Sequence, residues 1–298
     1  MRGYLLSIGE LLSELEGSPE GKRLSERDAA SGEEMKRLSE RDAASGEEMH
    51  RAAGNPPGEH SGEGTALERG PAQGVGGRLF QRAFARVDGH RQEKAAAMRP
   101  GRGQAASLGA GLLLQLAVAE AIGIAERISA GETGKECWQR YGVSGLLAHL
   151  EPMPSILIRY AYGDKGKPYL REYPFFFSIS HSGDYVLCVL SQQEIGADIQ
   201  QHRRCDIGRL AGRFFSEREK AALERLSLKG EAQEAFFRLW ARKEAYGKLT
   251  GGGIGDGVGV NLLPGEEELP EGRRLIWEQV PAVEGYSIAA CRYGNYVR

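Results

Sequence analysis

Apolar and polar positions change period several times along this chain, and each change marks an element. A short apolar run over residues 4–8 reads as a first strand. Ordered structure resumes near Leu79, and residues 91–98 read as a helix with Arg91 and Lys94 on adjoining turns. Residues 108–125 are apolar except for Gln115 and Glu120, which predicts a buried helix, and a further helix is expected over 135–150. Residues 175–180 alternate, Ser182-Gly183-Asp184 supplies a turn, and 185–190 runs on as a second strand, so a β-hairpin is expected. A third strand covers 195–199. Ser216 with Glu219 three residues later is a capping box, which starts a helix at Glu217. A longer helix over 231–249 stops at the glycines of 251–253, and 286–291 is strand-like. Strands and helices mixed in this way, with hairpins, indicate an α+β fold.

The pattern lapses between about residues 16 and 77, where Gly, Glu, Arg, Ala and Pro dominate and aromatic or β-branched residues are almost absent. Residues 22–35 read KRLSERDAASGEEM, and 36–49 repeat that string letter for letter. Two charged copies do not make a solenoid, which needs three or more units to bury a continuous core. The segment is expected to be a mobile, solvated insertion between the first strand and the first helix.

Length and charge narrow the function. A chain of 298 residues accommodates two modest domains or one pseudo-duplicated unit with insertions. A net charge of -2 gives no basic field to draw the protein onto nucleic acid or anionic membranes, so an anionic ligand must be held locally. Cys137, Cys188, Cys205 and Cys291 form no C-x-x-C pair, which argues against zinc, redox and disulfide roles and suits a reduced cytoplasm. The apolar start meets Glu10 too soon for a leader. The 108–125 run falls short of the roughly 20 residues of a spanning helix. Neither a nucleic-acid nor a membrane partner is expected.

The chemistry concentrates in the second half. In the strand at 195–199 a period of two sets Ile195, Ala197 and Ile199 on one face and Gly196, Asp198 and Gln200 on the other. In the long helix Phe237, Trp240, Glu244 and Lys248 follow one another at spacings of three and four, so an apolar stripe runs into a carboxylate and then an ammonium. Such a conflict between pattern and charge tends to mark a site. Two plainer readings stand beside it: Asp198 as the solvated face of a strand, and Glu244 with Lys248 as a helical ion pair worth about 0.2 to 0.5 kcal/mol. Lys167 in Gly166-Lys167-Pro168, the tip Ser180-His181-Ser182-Gly183, and Lys243 offer groups for anions, although His181 also suits a turn. Carboxylates for a hard cation beside Lys, His and backbone donors are what phosphoryl transfer requires. The glycine clusters have neither dinucleotide nor P-loop spacing.

Five segments together, GKPYL (166–170), FSISHSGDYV (177–186), IGADIQ (195–200), RFFSERE (213–219) and WARKEAYGK (240–248), resemble the surfactin-type 4′-phosphopantetheinyl transferases. The resemblance extends from about residue 79 to 291 and leaves out the repeat-bearing insertion. It implies a monomer of two similar α/β halves, here 1–195 and 196–298, with coenzyme A in the cleft between them. It implies transfer of phosphopantetheine from coenzyme A to a serine of an apo acyl or peptidyl carrier protein, with magnesium, releasing 3′,5′-ADP. By position, Asp198 and Glu244 look like the magnesium ligands, with Gln200 in a third ligand position. Lys243 and Lys248 look like pyrophosphate partners, and Ser180 and His181 like contacts to the phosphates. Lys167 looks like a nucleotide contact, and Arg91 with Lys94 like an N-terminal basic pair to which Arg102 adds. Phe214 and Phe215 would lie near the carrier, and Glu244 would take the serine proton.

Two departures stand out. Gln200 replaces a carboxylate of many relatives, and Gln104 and Ala105 stand where relatives often carry arginine. They leave a second reading open, a catalytically weak relative that binds coenzyme A or carrier proteins. An interaction protein that works through its charged repeat is a third.

Overall fold

The computed structural model describes residues 1–16, 77–129, 137–228 and 230–294. The expectation of a mobile insertion and the repeat itself lie outside these. The chain opens with β1 (Arg2–Ser7) and α1 (Gly9–Glu16). It continues at α2 (Arg78–Arg86), α3 (Gly89–Ala97) and α4 (Arg102–Ser129). The insertion therefore follows a helix rather than the first strand, a correction explained by Leu11, Leu12 and Leu15, which are buried at helical spacing. Glu14 accepts hydrogen bonds from the backbone N–H of Leu79 (3.1 Å) and Phe80 (2.8 Å), which joins α1 to the start of α2. That carboxylate also satisfies open donors at the start of α2.

Next come β2 (Cys137–Gly142), α5 (Val143–Leu150), β3 (Tyr160–Tyr162), β4 (Pro168–Leu170) and the hairpin of β5 (Phe176–Ser182) and β6 (Tyr185–Ser191). The expected helix over 135–150 is corrected: its first part is strand β2, and only α5 is helical. Trp138 and Tyr141 favour a strand, and β1 provides a parallel partner in register from Arg2 opposite Cys137 to Ser7 opposite Gly142. The second half holds β7 (Gly196–Gln201), α6 (Ile207–Phe214), α7 (Glu217–Ser227), α8 (Ala232–Thr250), β8 (Leu275–Trp277) and β9 (Tyr286–Tyr293). The fold is α+β.

A first sheet runs β2-β1-β6-β5 and a second runs β7-β9-β8. β1 alternates faces: Tyr4 and Leu6 join the core beneath α4, while Leu5 joins Leu187, Val189, Ile195, Ala197 and Ile199 between the sheets. Both faces of the first sheet are thus covered, which is why β6 is apolar at successive positions instead of alternating. The helical stretch Arg102–Gly123 is long and apolar enough to cross a membrane, yet 78% of its apolar window is buried inside the protein. On the far side Ala241, Ala245 and Leu249 of α8 pack on Ala289 and Cys291 of β9. The resulting order of layers is α4, first sheet, second sheet, α8.

Candidate active site

The site forms where β7 passes under the last turns of α8. A Cβ on Gly196 would overlap the carbonyl oxygen of Ala245, so only glycine lets strand and helix backbones come this close. α8 ends at Gly251, whose φ of 80° is the left-handed cap that glycine adopts without strain. Two residues after Gly196, on the same face of β7, Asp198 meets the helix: the Lys248 ammonium donates to its Oδ1 at 2.7 Å. The Ser180 hydroxyl donates to the same oxygen at 2.6 Å, and the Gln200 amide nitrogen donates to Oδ2 at 2.8 Å. Asp198 is 2% exposed, as a buried carboxylate with several donors should be. Glu244, partly exposed, sits one turn before Lys248 on the same side of α8.

The first half contributes its own groups. β5 offers Ser178, Ser180 and Ser182 on one face, and all three reach β7. Ser178 accepts from the backbone N–H of Ala197 (2.9 Å), and Ser182 accepts from that of Gln201 (3.0 Å). His181 keeps an exposed surface. Burial pushes its imidazole below the usual 6.5, and nearby Lys248, Lys94 and Arg91 act in the same direction against Asp198. Its electrostatic neighbours come from α3, β7 and α8. Lys94 is likewise depressed, by burial and then by Arg91. Burial raises the Tyr160 hydroxyl to about 12, and its interactions with Arg91 and Asp88 link β3 to the first turn of α3. Arg102 lies at the rim, paired with Asp184 of the hairpin turn.

The structure thus brings Arg91, Lys94, Ser180, His181, Asp198, Gln200 and Lys248 together, and it corrects three expectations. Lys243, expected at the pyrophosphate, is fully buried on another side of α8; its ammonium meets Glu219 Oε2 at 2.7 Å and donates to the carbonyls of Gly257 (2.8 Å) and Val260. Burial lowers its pKa against the pull of Glu219. Lys167, expected at the nucleotide, donates its ammonium to the carbonyl of Leu249 at 2.9 Å, near the C-terminal end of α8, and lies 3.8 Å from Glu194. A cation suits the negative end of the helix dipole. Phe215, expected at the carrier surface, is a core residue at 4% exposure, stacked on Phe236, whereas Phe214 is partly exposed under the Arg213 guanidinium. Gln104, where relatives often have arginine, is buried and donates its amide nitrogen to the carbonyl of Ala95 at 3.0 Å.

Sequence reasoning missed the stitching roles of Ser178 and Ser182 and the pairing of Glu219 with Lys243. Hydroxyls at every second position of an otherwise apolar strand were the available signal.

No cluster of three His, Cys, Asp or Glu able to hold a metal occurs among the described residues. Magnesium nevertheless fits. It is commonly held by one or two carboxylates plus substrate phosphates, retaining several waters. Asp198 and Glu244 supply the carboxylates, and the Lys248 ammonium already marks a place for a cation at Asp198.

Residues 194–275 match the model of the 4′-phosphopantetheinyl transferase superfamily. The chain is 35% identical over 155 residues to the 4′-phosphopantetheinyl transferase psf-1 of Bacillus pumilus, an alignment covering 49% of this chain and 65% of that protein. It is 33% identical over 142 residues to Sfp of Bacillus subtilis strain 168, covering 45% of this chain and 62% of the relative. It is 39% identical over 120 residues to AcpT of Escherichia coli K12, covering 39% and 59%. The chain thus spans roughly three fifths of the length of these relatives. Residues 194–275, which hold β7, the Glu219–Lys243 pair and α8, are thus similar to the 4′-phosphopantetheinyl transferase superfamily, and the chain around them resembles the surfactin-type members.

Proposed function

We propose that this protein transfers the 4′-phosphopantetheine group of coenzyme A to a serine of an apo acyl or peptidyl carrier protein. The observation that carries the reading is Asp198, buried and held by Lys248 of α8 and Ser180 of β5, with His181, Lys94 and Arg91 close by.

In this reading Arg91, Lys94 and His181 hold phosphates of coenzyme A, with Arg102 at the rim. Lys248 turns from Asp198 to the pyrophosphate and offsets its charge. Glu244 takes the proton of the carrier serine as its oxygen bonds to the β-phosphorus. The bond from that phosphorus to the bridging oxygen breaks, and 3′,5′-ADP leaves. A magnesium ion held by Asp198 and Glu244 would supply neutralisation of charge on the pyrophosphate oxygens.

The same proposal includes a monomer of two related halves, supported by a sheet with one long helix in each half. It includes a cytoplasmic setting, supported by free thiols at Cys188, Cys205 and Cys291. It involves neither nucleic acid nor membrane, in keeping with a net charge of -2.

Incubating the protein with coenzyme A, magnesium and a panel of apo carriers, read by intact mass, tests the reading. A phosphopantetheine mass gain on a carrier serine is expected, and no gain on any carrier would overturn it. A second reading, binding without efficient transfer, is favoured by Gln200, which presents an amide N–H where a further carboxylate would strengthen the metal site. Coenzyme A binding with no mass gain is its signature.

A further inference from the structure

Both carboxylate oxygens of Asp198 already carry donors, and the Lys248 ammonium stands where a cation would sit at Oδ1. Oδ1 is taken by the Ser180 hydroxyl at 2.6 Å and the Lys248 ammonium at 2.7 Å, and Oδ2 by the Gln200 amide at 2.8 Å. The amide has no choice of direction there, because its oxygen would set acceptor against acceptor. At 2% exposure Asp198 has almost no water to fall back on. Lys248 is different: its side chain keeps 31% of its surface in solvent, and its stem is flexible. The ammonium can therefore leave, whereas the carboxylate cannot.

For a divalent ion to sit at Oδ1 of Asp198, the Lys248 ammonium must withdraw. A withdrawn ammonium needs an anion, and Lys94 and Arg91 are further cations close to His181 and Asp198 that favour one there. A pyrophosphate supplies that anion and further oxygens for the metal. Each ligand thus removes the obstacle to the other, which is a coupling free energy between two sites.

We infer that Lys248 is the resident cation of the Asp198 site, keeping divalent metal out until a pyrophosphate-bearing ligand draws the ammonium away, so that metal and coenzyme A bind with strong positive coupling. The inference rests on the transferase reading and adds a mode of regulation to its site. Gln200 sharpens the effect: a carboxylate there would attract metal without help, whereas an amide leaves Asp198 to Lys248.

The test is binding of Mn2+ to the full chain, followed by the electron paramagnetic resonance signal of the free ion, with and without coenzyme A and corrected for Mn2+ bound by coenzyme A alone. Wild type is expected to bind Mn2+ about five- to 150-fold more tightly when coenzyme A is present, the usual range of such coupling. Lys248→Met should bind Mn2+ more tightly than wild type in the absence of coenzyme A and lose most of the coupling. Gln200→Glu should bind tightly alone and retain part of it. Equal wild-type affinity with and without coenzyme A overturns the inference whether or not Lys248→Met folds, and so does coupling undiminished in a folded Lys248→Met. Carrier modification without coupling would sink this inference alone, and coupling without carrier modification would sink the transferase reading.

Discussion

Lys243 and Glu219 meet at 2.7 Å with neither side chain exposed to solvent. The pair joins α7 to α8, and Glu219 Oε1 also accepts the backbone N–H of Leu262 at 2.9 Å. Removing one partner of such a pair leaves a buried charge uncompensated, typically at a cost of about 3 to 5 kcal/mol. Glu219→Ala and Lys243→Met should each lower unfolding free energy by that order in urea titrations, and the double variant should lose less than the sum. The folded fraction of Lys243→Met should keep its KM for coenzyme A. Unchanged stability with a raised KM would return Lys243 to the pyrophosphate.

Gly196→Ala adds a Cβ where the carbonyl oxygen of Ala245 lies. The neighbour is helix backbone and cannot rotate away, so strand and helix must separate. Overpacking of this kind costs about 1 to 3 kcal/mol and sometimes more. A lower Tm is expected, together with a fall in transfer rate measured well below that Tm, because Asp198 and Lys248 move apart. A wild-type rate would show that the close approach is not needed for the site.

The carboxylates should matter for rate rather than for fold. Glu244→Gln and Asp198→Ala are expected to retain the circular dichroism spectrum and to lower kcat by about a hundred- to a thousand-fold, the loss typical of one strong electrostatic contact. Intact-mass kinetics on a carrier protein check this. Near-wild-type turnover in Glu244→Gln would sink its role as proton acceptor.

His181 sets a pH dependence. Its folded-state pKa is pushed below 6.5 by burial, then by Lys248 and the other cations of the cleft. As pH falls through 6.5 the unfolded chain takes up its proton first, so the contribution of this imidazole to stability is present above 6.5 and is lost toward the lower folded value. A bound phosphate reverses the bias, so binding of coenzyme A should take up a proton and strengthen as pH falls from 7. An upward move of the His181 titration by NMR on adding coenzyme A is expected. An unmoved titration would place His181 away from the phosphates.

Much of this was legible in the chain because the period of the pattern and the chemistry agreed. The hairpin of β5 and β6, the capping box at Ser216, and α8 with its glycine stop follow local rules, and the structure shows each. Glu244 and Lys248 could be singled out in advance because an apolar stripe ended in charge, but the contact of Lys248 with Asp198 emerges only in the fold. Lys243 and Lys167 could not be placed that way. A lysine beside a site motif reads as a ligand contact, and only tertiary packing shows that its ammonium is closed off by Glu219 or by the end of α8. Strand β2 was hidden for a related reason, since its partner β1 lies more than a hundred residues away in the sequence.

The serines of β5 have a consequence for solubility. β7 is the outer strand of its sheet, and such an edge ordinarily presents unpaired backbone groups that recruit other chains. Ser178 and Ser182 occupy the N–H groups of Ala197 and Gln201 on that edge. A chain in which the second half folds before the first has closed over it would leave those groups open. The hydroxyls of Ser178 and Ser182 thus close this edge only once the two halves have met.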